Sequence, residues 1–394
     1  MWKIWKKKPT CNFCVHYSIF YDVIVRYFFL FEVNNAYLHK KKSYMNKKDT
    51  AQRSVLLIYT GGTIGMIENP ETGSLESFNF DHLLNHVPEL KRFNYNIATY
   101  QFDPPIDSSD MEPADWTKLT TIISDSYEQF DGFVILHGTD TMSYTASALS
   151  FMLENLGKPV ILTGSQLPIG MLRTDGKENL ITAVEIAAAI NPDGTPVVSE
   201  VCILFENNLM RGNRTTKMNS ENFNAFRSYN YPILAHAGIH IKYETHLLRK
   251  PNPEKPIKPH YLLDANVLIF TLFPGIREET VSAIFNAKGI RAVVMKTFGS
   301  GNAPQKEWLI NLIHEATKKG IVVVNITQCP TGTVEMKRYK TGQQLLSAGV
   351  ICGYDITPEA AITKLMFLLA HKLPIDEIRK RMDSDLVGEV TIVV

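Results

Sequence analysis

Short apolar runs alternate along the chain with segments of helical periodicity, starting at Val55. Such runs predict strands that are buried on both faces of a sheet. The predicted strands are Val55–Tyr59, Phe133–Leu136, Val160–Leu162, Val201–Phe205, Val267–Phe270, Ala292–Met295 and Ile321–Val324. Strands that alternate with helices are typical of a parallel sheet covered by helices.

The segments between these runs repeat apolar residues at helical intervals. Helices are predicted over Asp115–Phe130, Met142–Leu156, Gln305–Lys319 and Pro358–Lys372. Gly157 and Pro159 predict a stop for the second helix, and Thr357 supplies an N-cap for the last. The pattern therefore predicts an α/β fold, with a larger N-terminal domain built on an open, mostly parallel sheet and a smaller C-terminal α/β domain.

A proline-rich stretch separates the two groups of strands. Residues 250–259 contain four prolines and almost no apolar side chains. This composition is typical of a linker. We predict an N-terminal domain over residues 45–243, a linker over residues 244–261 and a C-terminal domain over residues 262–394.

The first 44 residues differ from the rest of the chain. Lysines precede an apolar stretch from Val15 to Val33, as in a signal peptide or membrane anchor. Charged residues interrupt this stretch, and a charge at mid-membrane costs roughly 3 kcal/mol or more. We expect translation to start at Met45 instead. A disordered or loosely helical tail is the alternative, and a genuine anchor is the least favoured.

Composition and charge describe a soluble globular protein. Of 394 residues, 45% are apolar and 21% are charged. The net charge is +1, but the first fifty residues contribute +7 and leave −6 for the remainder, which disfavours nucleic-acid binding there. Five cysteines, an odd number in a long chain, indicate no disulfide framework and fit the cytoplasm.

Polar, glycine-rich clusters follow four of the predicted strands. They are Thr60–Gly65, His137–Thr141, Thr163–Gln166 and Phe298–Asn302. Because parallel strands end at the same edge of a sheet, the clusters are expected to converge on one crevice. The first cluster fits neither the dinucleotide nor the P-loop pattern. Its threonine, Thr63, is a candidate nucleophile, and a purely structural turn is the alternative.

A hydroxyl nucleophile needs a base and a group that stabilises the oxyanion. The sequence has no G-x-S-x-G elbow, H-E-x-x-H motif or His/Cys/Asp cluster, so neither a serine triad nor a metal site is predicted. Asp140 could hold a cationic group, and an enclosed Lys217 could accept a proton from Thr139. A solvated surface lysine is the alternative for Lys217, and His137 is equally well explained as a packing residue.

Seven motifs occur in order along the chain: Y-T-G-G-T-I-G-M, D-S-S-D-M, H-G-T-D-T-M, T-G-S-Q-L-P, R-G-N-R-T-T-K, G-S-G-N-A-P and N-I-T-Q-C. Together they resemble the bacterial type I (cytoplasmic) L-asparaginases, from about Ser54 to Glu389. The resemblance implies a two-domain α/β fold, dimers or tetramers of one chain, and no cofactor. It also implies hydrolysis of L-asparagine to L-aspartate and ammonia through an acyl-enzyme intermediate.

The resemblance further implies roles for individual residues. Thr63 matches the family's first catalytic threonine, and Thr139, Asp140 and Lys217 match its second catalytic group. The positions that match substrate-binding residues are Asp107, Ser108, Ser109, Thr139, Asp140 and Asn302, of which Asn302 lies in a segment that reaches a neighbouring subunit's site in related enzymes.

Some type I enzymes also carry a regulatory asparagine site. Its matching positions here are Thr216, Lys296, Thr327 and Cys329. The family pattern has arginine where this chain has Lys296, and lysine cannot clamp a carboxylate with two hydrogen bonds. We therefore expect weak or absent regulation, and favour an ordinary buried thiol for Cys329.

Three other functions compete with the asparaginase interpretation. A tRNA-dependent amidotransferase subunit would need a basic surface for tRNA, which the charge of −6 disfavours. An amino-acid racemase would need a cysteine at a strand end, whereas Cys202 lies inside an apolar run. A non-catalytic asparagine sensor would bind the amino acid without releasing ammonia.

Overall fold

A computed structural model gives the fold of the chain and describes residues 52–68, 75–77 and 87–392. The predictions for the first 44 residues, including a start at Met45, lie outside the described residues. Among the residues described, no helix has the length and apolar character needed to cross a membrane.

The described residues form eighteen strands and eight α-helices. The strands are β1 Arg53–Tyr59, β2 Met66–Glu68, β3 Leu75–Ser77, β4 Tyr95–Gln101, β5 Gly132–Leu136, β6 Leu153–Glu154, β7 Val160–Thr163, β8 Val201–Phe205, β9 Asn208–Arg211, β10 Thr215–Lys217, β11 Phe226–Ser228, β12 Ala235–Ala237, β13 Ile241–Tyr243, β14 Lys258–Pro259, β15 Val267–Thr271, β16 Ala292–Thr297, β17 Val322–Thr327 and β18 Ile351–Cys352. The helices are α1 Pro113–Asp125, α2 Met142–Met152, α3 Gly176–Ala188, α4 Glu278–Phe285, α5 Glu307–Lys318, α6 Lys340–Ser347, α7 Pro358–Ala370 and α8 Ile375–Met382.

The larger sheet has eight strands in the order β13-β12-β9-β8-β7-β5-β1-β4. The five neighbouring strands β8, β7, β5, β1 and β4 run parallel, and β9, β12 and β13 continue the sheet antiparallel. The smaller sheet, β15-β16-β17-β18, is entirely parallel. The predicted fold class is confirmed, while the proposed domain boundaries stay a prediction.

Strand β1 shows why the sheet must be covered on both faces. Val55, Leu57 and Tyr59 lie in one apolar core with side chains of α3, and Leu56 and Ile58 lie in another with side chains of α1. All five are almost completely buried. Burying a large aliphatic side chain contributes about 1.5–3 kcal/mol, so an uninterrupted apolar run suits a central parallel strand.

All seven predicted strands form, but the predicted helices end too late. Helix α1 ends at Asp125 rather than Phe130, and α2 ends at Met152 rather than Leu156. The two residues after α2 form β6, which pairs with β14, Lys258–Pro259. This long-range pairing stops the helix before Gly157. The cap of α7 is as expected, since the Thr357 hydroxyl accepts from the Ala360 N–H at 3.2 Å.

Candidate active site

The loops after β1 and β5 meet a third loop, residues 105–109, at one edge of the larger sheet. Gly61 and Gly62 have φ of 137° and 92°, which favours glycine. A Cβ at Gly62 would lie 2.5 Å from the Gly138 Cα, and one at Gly138 would lie 2.4 Å from the Ser108 Oγ. The loop after β1 therefore meets the other two loops through backbone, at Gly138 and Ile106, and Gly138 also packs against the Ser108 side chain. Thr63 directly follows Gly62, and Thr139 directly follows Gly138.

Hydrogen bonds at the end of β1 fix this junction. Thr60 donates from both its N–H and its hydroxyl to the Leu136 carbonyl at 3.0 Å. The Thr60 carbonyl accepts from the Ile106 N–H at 2.7 Å. Thr63 then begins a 3₁₀ turn, Thr63–Gly65, and is half-buried. The candidate nucleophile thus follows a loop whose start is held by the end of β5 and by the third loop.

Tyr59 supports the 3₁₀ turn from below. Its hydroxyl donates to the Gly65 carbonyl at 3.2 Å, and a Cβ at Gly65 would lie only 2.1 Å from that hydroxyl. Burial raises the pKa of Tyr59 to about 12, so the phenol keeps its proton and remains a donor.

Lys217 joins two polar residues of the loop after β5, Thr139 and Asp140. Its ammonium donates to the Thr139 Oγ1 at 2.8 Å and to the Asp140 Oδ1 at 2.7 Å. The Lys217 side chain is 20% exposed and that of Asp140 is 61% exposed. Lys217 is therefore not the solvated surface lysine considered as the alternative.

Gln166 is a neighbour of Thr139 that the sequence argument did not single out. The Thr139 hydroxyl donates to the Gln166 Oε1 at 3.4 Å, and the Gln166 amide donates to the Asn222 carbonyl at 3.1 Å. Both oxygens of Asp175 accept from the Gln166 N–H. The sequence contained a sign of this role, because Gln166 is the last residue of the polar cluster that follows β7.

His137 is buried behind this loop and has partners on both ring nitrogens. The Trp116 N–H donates to the Thr145 hydroxyl at 2.9 Å, and that hydroxyl lies 2.8 Å from the His137 Nε2. Since the Gly138 carbonyl can only accept, Nδ1–H donates to it at 2.7 Å, and in the neutral ring Nε2 accepts from the Thr145 hydroxyl. Burial lowers the pKa of His137 to about 4, which keeps it neutral.

The residues 107–109 lie beside these groups. The Asp107 Oδ1 accepts from both the N–H and the hydroxyl of Ser109, each at 2.9 Å. The Ser108 carbonyl accepts from the Thr141 hydroxyl at 2.6 Å. Ser108 is buried, whereas Asp107 and Ser109 are exposed. Both bonds to Ser109 use the Asp107 Oδ1, so the Asp107 Oδ2 is the carboxylate oxygen of this loop that can accept from a substrate.

Asn302 belongs to the C-terminal half of the chain. Its side-chain oxygen accepts from the Thr341 hydroxyl at 2.8 Å, and its carbonyl accepts from the Phe298 N–H at 2.9 Å. These hydrogen bonds do not join it to Thr63, Thr139 or Lys217.

A cavity of about 280 Å³ brings together the four residues proposed for regulation: Thr216, Lys296, Thr327 and Cys329. Lys217 also lines it. Cys329 is exposed, so the expectation of a buried thiol is wrong. The residue follows the strand end, where the Thr327 hydroxyl accepts from its N–H at 3.0 Å and holds it at the cavity wall.

Two family models match the chain in succession. "Asparaginase, N-terminal" matches residues 54–249, and "Glutaminase/Asparaginase C-terminal domain" matches residues 266–382. The chain is 44% identical to L-asparaginase 1 of Escherichia coli (strain K12) over 341 residues, which cover 86% of this chain and 98% of the relative.

Two solved structures share the fold. L-asparaginase I from Vibrio cholerae O1 biovar eltor superposes with a TM-score of 0.79 at 42% identity, covering 87% of this chain and 100% of the other. The thermostable L-asparaginase from Thermococcus kodakarensis gives a TM-score of 0.78 at 34% identity, covering 86% and 100%.

Proposed function

Since this chain belongs to the asparaginase family, we propose that it hydrolyses L-asparagine to L-aspartate and ammonia, with Thr63 as the nucleophile. The observation that carries this proposal is the hydrogen-bonded group of Lys217, Thr139 and Asp140. This group lies next to Thr63, because Gly138, which precedes Thr139, touches Gly62, which precedes Thr63. A nucleophilic hydroxyl needs a proton-transfer partner and a polar environment of this kind.

Substrate recognition follows from the charges at the crevice. L-asparagine carries an ammonium and an α-carboxylate, and exposed carboxylates at Asp140 and Asp107 can accept from the ammonium. Ser109 already donates both of its protons to Asp107. We therefore assign Ser109 the task of orienting Asp107, and leave the α-carboxylate to N–H groups of the surrounding loops.

The reaction divides into acylation and hydrolysis. In acylation the Thr63 Oγ adds to the side-chain amide carbon, the hydroxyl proton passes to the amide nitrogen, and ammonia leaves. Water then adds to the ester carbon and restores the Thr63 hydroxyl as L-aspartate departs. The Lys217 ammonium, by donating to the Thr139 hydroxyl and the Asp140 carboxylate, holds both groups in place beside the substrate. N–H groups of the glycine-rich turn and of Thr139 are suited to the oxyanion, and loss of one such donor typically costs about 3–4 kcal/mol.

Ammonia release from L-asparagine tests the activity, and trapping of the acyl-enzyme tests the nucleophile. Thr63→Val should abolish turnover and the adduct, whereas Thr139→Val and Lys217→Met should slow turnover strongly. The matched control is Thr121→Val on α1, whose hydroxyl bonds only within that helix at 2.9 Å. An adduct found on Thr139 would reverse the order of the two threonines, and binding without ammonia release would favour the sensor.

Assembly, location and regulation are proposed on the resemblance. We propose a homodimer or homotetramer in the cytoplasm, in which Asn302 reaches a neighbouring subunit's site, and weak or absent control by a second asparagine in the cavity at Lys296. Sedimentation equilibrium measures the assembly, and an activity assay of Asn302→Ala tests whether that residue contributes to turnover.

A further inference from the structure

Lys217 is carried by a strand that has little support of its own. Strand β10 is three residues long and, in the part of the chain described, pairs only with β11, with Lys217 opposite Phe226. Isolated two-stranded pairs are marginally stable. Contacts outside this small sheet must therefore hold the Lys217 backbone in place.

The residue before Lys217 provides such a contact. Thr216 precedes Lys217 on this strand and makes a side-chain contact of its own. Its hydroxyl donates to the Glu359 Oε1 at 2.5 Å. Glu359 lies in the first turn of α7 and is 8% exposed. One hydrogen bond therefore links the strand of Lys217 to a helix of the C-terminal half.

Glu359 is poorly explained as a stabilising residue. Its second oxygen, Oε2, is buried without a hydrogen-bond partner. Burial raises the pKa of this carboxyl group, although the Thr216 hydroxyl, the Glu359 main-chain N–H, the Lys296 ammonium and the Thr357 hydroxyl act against that shift. Burying a carboxyl group with one oxygen unpaired costs free energy that an apolar side chain would not cost. The position therefore suits a residue kept for its short hydrogen bond with Thr216.

We propose that Glu359 is a positioning residue, which holds Lys217 against Thr139 and Asp140 through the hydroxyl of Thr216. This inference rests on the proposed role of Lys217. Thr216 and Lys217 both line the cavity that contains Lys296 and Cys329. A ligand that binds the Thr216 hydroxyl there competes with Glu359 for it, so the same bond joins the cavity to the candidate catalytic group.

A double-mutant cycle with steady-state kinetics tests the proposal. Thr216→Val and Glu359→Ala should each lower kcat roughly 10–100-fold, the range expected for a misplaced catalytic group, with KM changed less than about threefold. The double variant should be no slower than either single variant, because both remove the same bond. Thr216→Ser and Glu359→Gln preserve the hydroxyl and an acceptor oxygen, and should keep kcat within about threefold of the parent chain.

Thr363→Val is the matched control. It removes a buried hydroxyl of α7 that donates to the Glu359 main-chain carbonyl at 2.8 Å and does not reach β10. It should lower stability and leave the kcat of the folded protein unchanged. If Glu359→Ala does not fold, the comparison of Thr216→Val with Thr216→Ser carries the test.

Lys217→Met separates this inference from the proposed function. Parental turnover in Lys217→Met would overturn the proposed function itself. An inactive Lys217→Met together with parental kcat in Thr216→Val and Glu359→Ala would overturn only the positioning role of Glu359. Additive losses in the cycle would also overturn it, since the two residues would then act independently.

Discussion

At the scale of single residues, the site depends on backbone contacts that exclude side chains and on buried groups held in one protonation state. Gly62 can touch Gly138 only because Gly62 has no Cβ, and Gly138 can pack against Ser108 only because Gly138 has none. His137 holds the Gly138 carbonyl because it is neutral and protonated on Nδ1. The sequence predicted that these clusters converge, but it left His137 undecided, because a histidine beside a glycine carries no sign of the buried Trp116 and Thr145.

Gly62→Ala should damage both stability and activity. Alanine is disfavoured at a φ of 92°, and its Cβ would lie 2.5 Å from backbone atoms of Gly138. We expect a loss of roughly 3 kcal/mol in the free energy of unfolding, from strain and overpacking together, with turnover reduced more than 100-fold.

Gly194→Ala is the control, because φ there is 85° but a Cβ added to Gly194 would meet no other atom within 4 Å. It should cost about 1 kcal/mol and spare turnover. Equal urea midpoints for the two variants would contradict the prediction.

His137 should make the protein less stable in mild acid. Its pKa is about 4 in the folded chain and 6.5 when unfolded, so the unfolded state binds the proton first. Stability is complete above pH 6.5, declines as pH falls below that value, and reaches its full loss below about pH 4. The loss for this one group is on the order of 3 kcal/mol.

Urea unfolding of the parent chain and of His137→Gln at pH 7.5 and pH 4.5 measures this effect. Glutamine can donate a hydrogen bond but does not titrate, so the variant should lose less stability between the two pH values. An equal loss in both chains would assign the acid sensitivity to other groups.

At the scale of elements, the apolar runs predicted the strands well because buried parallel strands need uninterrupted apolar sequence. Strand β4, Tyr95–Gln101, was missed because it is an edge strand with half-exposed side chains and no such run. The end of α2 was missed for a different reason. Its last predicted turn is taken by pairing with β14, more than a hundred residues later, which no local pattern reveals.

Asn155 is the residue that fixes this early helix end. It has a φ of 58°, its amide donates to the carbonyls of Asn252 and Lys255, and its oxygen accepts from the Asn252 N–H at 2.7 Å. Asn155→Ala should lower the free energy of unfolding by roughly 2–3 kcal/mol, through lost hydrogen bonds and strain. Asn155→Gly relieves the strain and should recover about 1 kcal/mol of that loss. Urea titrations of the three chains measure both differences, and equal stability of the alanine and glycine variants would rule out the strain contribution.

At the scale of the whole molecule, the C-terminal segment ties the two halves together. Lys364 and Glu389 form an ion pair at 2.6 Å with no exposed surface, and the loop that Glu389 orders accepts hydrogen bonds from Asn213 and Arg214. Arg214 also pairs with Asp355 at 2.9 Å.

The sequence predicted Lys217 as a candidate catalytic residue but not Glu359 as its partner, because contacts between distant segments follow from three-dimensional packing. It placed the regulatory positions by resemblance alone.

The identity of residue 296 should decide how the molecule responds to L-asparagine. Lys296 lines the cavity with Thr216, Thr327 and Cys329, and an ammonium there cannot clamp a carboxylate with two parallel hydrogen bonds. Regulatory sites typically couple to the active site by roughly 1–3 kcal/mol, and this coupling requires tighter binding to one state. We therefore expect hyperbolic saturation by L-asparagine in the parent chain.

Lys296→Arg should convert that curve to a sigmoidal one, because a guanidinium supplies the missing second donor to an α-carboxylate. Initial rates over a concentration series measure the change, with Lys288→Arg as the control, since Lys288 is exposed and does not line the cavity. A sigmoidal curve in the parent chain would show that lysine suffices for regulation. A hyperbolic curve in Lys296→Arg would show instead that the loss of control does not depend on this side chain.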